Sequence, residues 1–255
     1  MNQLESTMKN GIHFLLLLLL LARPVGADTR EEAARILQRI DQNQNIERQI
    51  IISSMIIRGL RGSREIKYQS WIIGQEKSFT ESLAPLREKG TKMLKLDQNL
   101  WIFDPGADRT IKIAGHMLRQ SMSGSDLSYE DMMEKGKLSD TYDATIVGEE
   151  PIDGRDTWIL DLKARQTSLA YQQRKIWVDK ERYLGIREEL YAASGKLLKR
   201  LDILETFQTS RGWYPRRLRF KDMLKKGDGT EWIIHSVDFD TPIPDSKFSK
   251  AALRR

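Results

Sequence analysis

The chain of 255 residues carries 42 Lys+Arg against 36 Asp+Glu for a formal net charge of +6, with 40% hydrophobic residues, three His and no Cys. A charged fraction of 31% beside that apolar fraction argues against a disordered chain, and a mean hydropathy of -0.52 argues against a polytopic membrane protein, so a soluble globule is expected. The lack of cysteine excludes a disulfide scaffold, thiolate zinc sites, iron–sulfur clusters and a cysteine nucleophile together.

At the front, Ile12 to Ala22 is apolar apart from His13 and contains a leucine run from Leu15 to Leu21. These eleven residues are too few to span a bilayer core, which takes about twenty. Lys9 precedes the run, and Arg23-Pro24-Val25-Gly26-Ala27 follows it with small residues where a signal peptidase reads. The pattern predicts a secretory signal peptide over 1–27, cleaved near Ala27, with no Cys there to accept a lipid. Cleavage leaves 228 residues and, by removing Lys9, Arg23 and Glu5, lowers the net charge from +6 to +5. Outside the cytoplasm a basic balance suits lipid head groups, lipopolysaccharide or an acidic protein surface, and nucleic acid is not expected as a partner. No linker or composition shift divides 28–255, which reads as one domain.

An amphipathic helix is predicted over 29–43. Thr29 with Glu32 gives a capping-box spacing, and Ala33, Ile36, Leu37 and Ile40 share one apolar face. Beyond it the period falls from 3.6 to 2. Strands are predicted at 49–58, 65–73, 92–96, 100–103 and 110–113, then at 140–147, 155–164, 175–178, 184–191, 197–207, 213–223 and 231–239. Asp153-Gly154, Ser194-Gly195 and Gly227-Asp228-Gly229 fall where hairpins need positive backbone dihedrals. Sequential strands with short loops predict an antiparallel meander, and so many of them exceed what a flat sheet holds, so the sheet should curl into a barrel or part of one. The fold class is therefore mainly β with a few helices. Between Gly115 and Gly136 the alternation breaks, and Ser128 with Asp131 again gives a capping-box spacing. This stretch is read as helix and loop covering one opening of the sheet.

Function would sit on the apolar face of that sheet. Trp158, Leu160 and Leu162 share a face of one strand; they are plain core if the sheet curls around a packed centre and cavity lining if helices bridge a concave sheet. Met117, Met122, Met132 and Met133 cluster in the insert with Leu118 and Leu127 and suit either an adaptable lid over an apolar ligand or a gap-filling core. All six Trp residues fall in predicted strands, where Trp71 and Trp101, with Met93, are candidate cavity wall. Arg217, Arg219 and Lys221 alternate with Leu218 and Phe220, giving an outward basic stripe that either docks on an anionic surface or is simply solvated. No G-x-S-x-G elbow, glycine-rich phosphate loop or metal-ligand spacing occurs, and Ser125-Asp126 near His116 is non-specific, so neither catalysis, cofactor nor metal is expected. His235, alternating with Ile233, Val237 and Phe239, is expected to face the barrel.

Three segments together resemble the outer-membrane lipoprotein-sorting (LolA-like) family of Gram-negative periplasmic proteins. They are Lys89-Gly90-Thr91-Lys92-Met93-Leu94-Lys95, then Leu100-Trp101-Ile102-Phe103 with Pro105, and Met122-Ser123-Gly124-Ser125-Asp126-Leu127-Ser128-Tyr129-Glu130-Asp131. The resemblance implies an incomplete, strongly curved antiparallel barrel whose concave apolar side is covered by helices, enclosing a cavity for acyl chains in the periplasm. It implies a lipid, fatty-acyl chain or lipoprotein as cargo, passed from an inner-membrane transporter to an outer-membrane acceptor, without catalysis. The alternative is an envelope regulatory protein that senses lipid and binds a membrane partner, in part through the basic stripe. The arginine that latches the lid in such carriers is matched by position alone, at Arg119.

Overall fold

In the computed structural model, residues 25–59, 62–134 and 136–254 are described, with side chains from residue 29; most of the expected signal peptide lies outside them. Helix α1 runs Val25–Gln44. It begins four residues before Thr29, so the Thr29/Glu32 pair stands within the helix and does not start it. After it come strands β1 (Arg48–Gly59), β2 (Gly62–Ile73), β3 (Lys77–Ala84), β4 (Lys92–Leu96), β5 (Asn99–Asp104) and β6 (Arg109–Ile113). The chain then makes 3-10 turns at Gly115–Arg119 and Met122–Gly124 and short helices α2 (Tyr129–Met133) and α3 (Leu138–Thr141). Strands β7 (Tyr142–Glu149), β8 (Thr157–Ala164), β9 (Gln173–Asp179), β10 (Gly185–Tyr191), β11 (Leu197–Thr209), β12 (Gly212–Asp222) and β13 (Thr230–Asp238) complete the sheet, and two 3-10 turns, Asp245–Phe248 and Lys250–Arg254, end the chain.

Among the described residues thirteen strands form one curved, unclosed antiparallel sheet in the order β6-β5-β4-β3-β2-β1-β13-β12-β11-β10-β9-β8-β7. Each strand pairs with its sequence neighbours except at two places. β1 pairs with β13, from Ile50 opposite Asp238 to Ile57 opposite Thr230, which brings the first and last strands together at the middle of the sheet. β6 and β7 do not pair and form its two free edges. The segment joining them, residues 114–141, must therefore travel from one edge of the curl to the other. That connection makes it a cover for the concave side.

Helix α1 lays Ala33, Ile36, Leu37 and Ile40 on the concave face of β7, β8 and β9, against Tyr142, Ala144, Leu160, Leu162, Ile176 and Val178. Burying each of the larger side chains stabilises the packing by roughly 1.5–3 kcal/mol. The insert covers the other half of the concave face: Met122 and Leu127 are buried with Met55, Ile57, Ile66 and Tyr68, and Met93, Met132, Phe220 and Trp232 close round them. The Ser128 capping box forms as its spacing implies, with Ser128 N 2.6 Å from Asp131 Oδ2 and Asp131 N 3.3 Å from Ser128 Oγ.

A third core lies on the opposite, convex face. Trp71, Phe79, Leu94 and Trp101 are cross-strand partners on one face of β2 to β5, and Phe248 and Leu253 of the chain's end pack over them. Lys247 Nζ sits 3.5 Å from the Trp71 ring centroid and Lys250 Nζ 4.6 Å from that of Trp101. His235 also faces outward. It is exposed on the convex side and lies 2.7 Å from Ser54 Oγ, contrary to the expectation of a barrel-facing ring.

Candidate functional site: a covered concave cavity

Between α1, the insert and the sheet lie two adjoining cavities, of about 510 Å³ and about 800 Å³. They meet at Gln44, Ile46, Gln49, Leu138, Glu188 and Leu201, which line both. Either volume is in the range of small-ligand pockets, ~300–1,000 Å³. The smaller chamber is floored by buried Ile40, Ile176, Leu184 and Ile234 and walled by Ile203, Tyr214 and Leu218, while exposed Arg39, Arg211 and Trp213 stand at its mouth. Tyr214 donates to Gln49 Oε1 at 2.8 Å, and burial pushes its hydroxyl up to about 12. The larger chamber is more polar; Leu118, Met133, Leu169, Tyr142 and Arg174 are among its walls.

The cover over these chambers is tied down by charge as well as by apolar packing. Arg174, 5% exposed on β9, binds Glu188 of β10 at 2.8 Å and Glu134 just after α2, and its guanidinium lies 4.9 Å from the Tyr142 ring centroid. Asp131 of α2 accepts from the Tyr171 hydroxyl at 2.5 Å and pairs with Lys199 of β11. Burial together with the Asp131 carboxylate holds the Tyr171 hydroxyl far above its ordinary range. From the other half of the sheet Lys95 Nζ donates to the Glu134 carbonyl at 3.2 Å. Asp126 accepts from Asp222 N at 3.0 Å and Thr230 Oγ1 at 2.8 Å, pinning the insert to β12 and β13. Asp41, at the end of α1, takes the N–H groups of Leu138 and Ser139, both at 2.9 Å. The Ser-Asp-Leu-Ser-Tyr-Glu-Asp segment is thus chiefly an anchor for the cover. Ser125 is wholly buried and, among the described residues, its Oγ bonds within its own loop, to Leu127, a poor setting for a nucleophile.

The structure separates the sequence-derived candidates. Leu118 and Met133 line the larger chamber. Met122, Leu127, Met132 and Met93 pack between insert and sheet as the body of the cover, and Met117 is half-buried in the first 3-10 turn. Trp158 is on the concave face, 5.6 Å from Tyr183, which lines the smaller chamber. Trp71 and Trp101 belong elsewhere. They stand on the convex face beneath the chain's end, because the residues directly opposite them in register alternate with the cavity-facing set. Arg119 is exposed and lies in the cover's first turn; the arginine that bridges cover and sheet is Arg174, which carried no motif. Arg217, Arg219 and Lys221 do project from the convex face, but half-buried: Arg217 binds Glu205 at 2.7 Å, Arg219 is paired in register with Asp202 and Glu231, and Lys221 donates to the Lys225 carbonyl at 2.6 Å. Arg217 and Arg219 belong to the sheet's own charge ladder, while Lys221 Nζ also lies 3.9 Å from Asp126 of the insert. The lining residues Ile46, Gln49, Leu201, Ile203, Leu218 and Ile234 were not singled out, although Leu201/Ile203 and Leu218/Phe220 show the alternation that marks one face.

Among the described residues no group of His, Cys, Asp and Glu could hold a metal ion, and no helix is long and apolar enough to cross a membrane.

Solved structures share this fold of a curved, unclosed sheet with helices across its concave side. A DUF1329 family protein from Desulfovibrio piger aligns over 88% of this chain and 99% of its own at 22% identity and a TM-score of 0.78. A putative outer membrane lipoprotein-sorting protein domain from Vibrio parahaemolyticus aligns over 89% and 100%, at 22% identity and a TM-score of 0.77. A LolA superfamily protein from Nitrosomonas europaea aligns over 86% and 98%, at 23% identity and a TM-score of 0.70. A family model described as that of an uncharacterized protein matches residues 74–255, and the chain belongs to that family. No curated protein matches it.

Proposed function

We propose that this protein is a non-enzymatic carrier that takes a lipid or a lipid-modified ligand into the concave cavity and passes it between membranes. In this reading the mature chain begins near residue 28, works in the periplasm as a single lipid-binding domain, and exchanges cargo with an inner-membrane donor and an outer-membrane acceptor. The observation that carries the proposal is the pair of adjoining chambers between cover and sheet, with an apolar floor at Ile40, Ile176, Leu184 and Ile234. An alkyl chain laid there would gain about 0.8 kcal/mol for each methylene removed from water. The cover is tied by ion pairs, Arg174 with Glu134 and Lys199 with Asp131, and opening returns both partners of each pair to water, which recovers the desolvation cost of burying them.

The test is binding of a fluorescent fatty acid to the wild-type protein and to Leu201→Trp, which puts an indole where the two chambers meet. Saturable binding that weakens by about tenfold or more in the variant, with thermal unfolding little changed, is expected. Saturable binding that is indifferent to Leu201→Trp would place the ligand elsewhere and contradict the proposal.

A further inference from the structure

The mouth of the smaller chamber is not neutral. Arg39 of α1, Arg182 of the β9–β10 loop and Arg211 of the β11–β12 hairpin all line it, from three separate parts of the chain. Two carboxylates share that lining, and outside it Arg211 also borders an adjoining pocket with Asp240 and with Glu47, whose carboxyl Arg48 and, more weakly, Arg211 hold low. Glu188 lies deeper and is bound to Arg174 at 2.8 Å, which leaves Glu181 as the acidic residue of the rim. Arg182 is held in place: its Nη1 donates to Thr206 Oγ1 at 3.1 Å, its Nε lies 3.8 Å from Asp179, and its guanidinium stacks 3.8 Å from the Trp213 ring centroid. Trp213 itself is 40% exposed beside Arg211. Arg39, whose Nη1 reaches Gln42 Oε1 at 3.3 Å, and Arg211 are exposed at the surface, while the floor below them is buried and aliphatic.

An apolar shaft under a collar of guanidinium groups is complementary to one kind of small molecule: an alkyl chain with an anion at its end. Guanidinium forks bind carboxylate and phosphate oxygens through charge-assisted hydrogen bonds, and a chain pulls that anion to the collar only when its tail fills the shaft. We infer that the ligand of the smaller chamber is an anionic amphiphile, its head group held by Arg39, Arg182 and Arg211 and its acyl chain lying over Ile40, Ile176, Leu184 and Ile234. This rests on the carrier reading above and adds the charge of the cargo.

Calorimetric titration with dodecanoate, dodecyl phosphate, dodecanol and inorganic phosphate, each below its micelle or solubility limit at pH 8, tests it on the full-length mature chain. Dodecanoate or dodecyl phosphate should bind at least about tenfold more tightly than dodecanol, and the stronger of the two identifies the head group. The Arg39→Gln/Arg211→Gln variant, altered only at exposed side chains, should lose that preference and keep the dodecanol affinity. Lys163→Gln/Lys226→Gln, with the same loss of net charge at other exposed sites, should keep the preference. Equal binding of dodecanol and the two anions, a preference that survives Arg39→Gln/Arg211→Gln, or one lost alike in both double variants would overturn the inference and leave acyl-chain binding standing. Saturable binding of inorganic phosphate alone at the same rim would make it a free-anion site and overturn the amphiphile. Failure of all three dodecyl compounds to bind would overturn the carrier reading itself.

Discussion

Tyr68 shows how a single residue reports on the covered face. It is 2% exposed, stacked on Trp232 with centroids 5.6 Å apart, and burial pushes its hydroxyl from 10.0 up to about 12. A group whose folded pKa is raised keeps its proton longer in the folded chain. Its contribution is therefore complete below about pH 10 and is lost as the pH climbs toward 12. Urea unfolding followed at pH 9 and pH 12 should show a loss near 2 kcal/mol from this residue, absent in Tyr68→Phe; an identical pH slope in the variant would contradict the assignment. Gly229 is constrained just as locally. Its φ is +92°, and an added Cβ would fall 2.4 Å from the Phe220 carbonyl oxygen, so the β12–β13 turn that receives Asp126 of the cover needs glycine there.

Among the elements, the cover is held to the sheet by charge as well as by apolar packing. Arg174 joins β9 to β10 and to the residue after α2 from a buried position, and removing it would leave Glu188 facing the cavity without its partner. Arg174→Met is expected to cost about 3–5 kcal/mol in global or local stability. Amide hydrogen exchange should locate much of that loss in residues 128–134; protection there equal to wild type would show that the ion pair does not hold the cover. Elements were also what the sequence disclosed most readily. Alternation marked the strands from β4 onward to within a few residues, and Ser128 with Asp131 marked the start of α2. Strand β3, Lys77–Ala84, was missed because Ser78, Thr80, Glu81 and Ser82 leave only Phe79 and Leu83 as large apolar residues, too few for a visible period. Alternation assigns residues to two faces without saying which is concave. Where the chain's end covers the convex face, as over Trp71 and Trp101, both faces are apolar and the signal is ambiguous. Arg174 was silent for another reason: a lone arginine in a strand looks like any surface cation until its two carboxylates are brought to it from 40 residues before and 14 after.

The whole molecule is an antiparallel meander whose first and last strands are joined and whose opening falls between β6 and β7, so that the one segment bridging the opening also roofs the concave face. That consequence needs the β1–β13 pairing, a contact between strands about 180 residues apart that no local pattern encodes. Curvature, cover and cavity follow from it, and with them the carrier reading and the arginine collar at the mouth. A carrier of this design must hold an acyl chain in the space under its cover. Mass spectrometry of the organic extract from protein purified out of a periplasmic fraction tests this most directly. An acyl-chain compound near one-to-one with protein, much reduced in Leu201→Trp, is the predicted result; protein that is free of any such compound and still fails to take one up on incubation with lipid would contradict it.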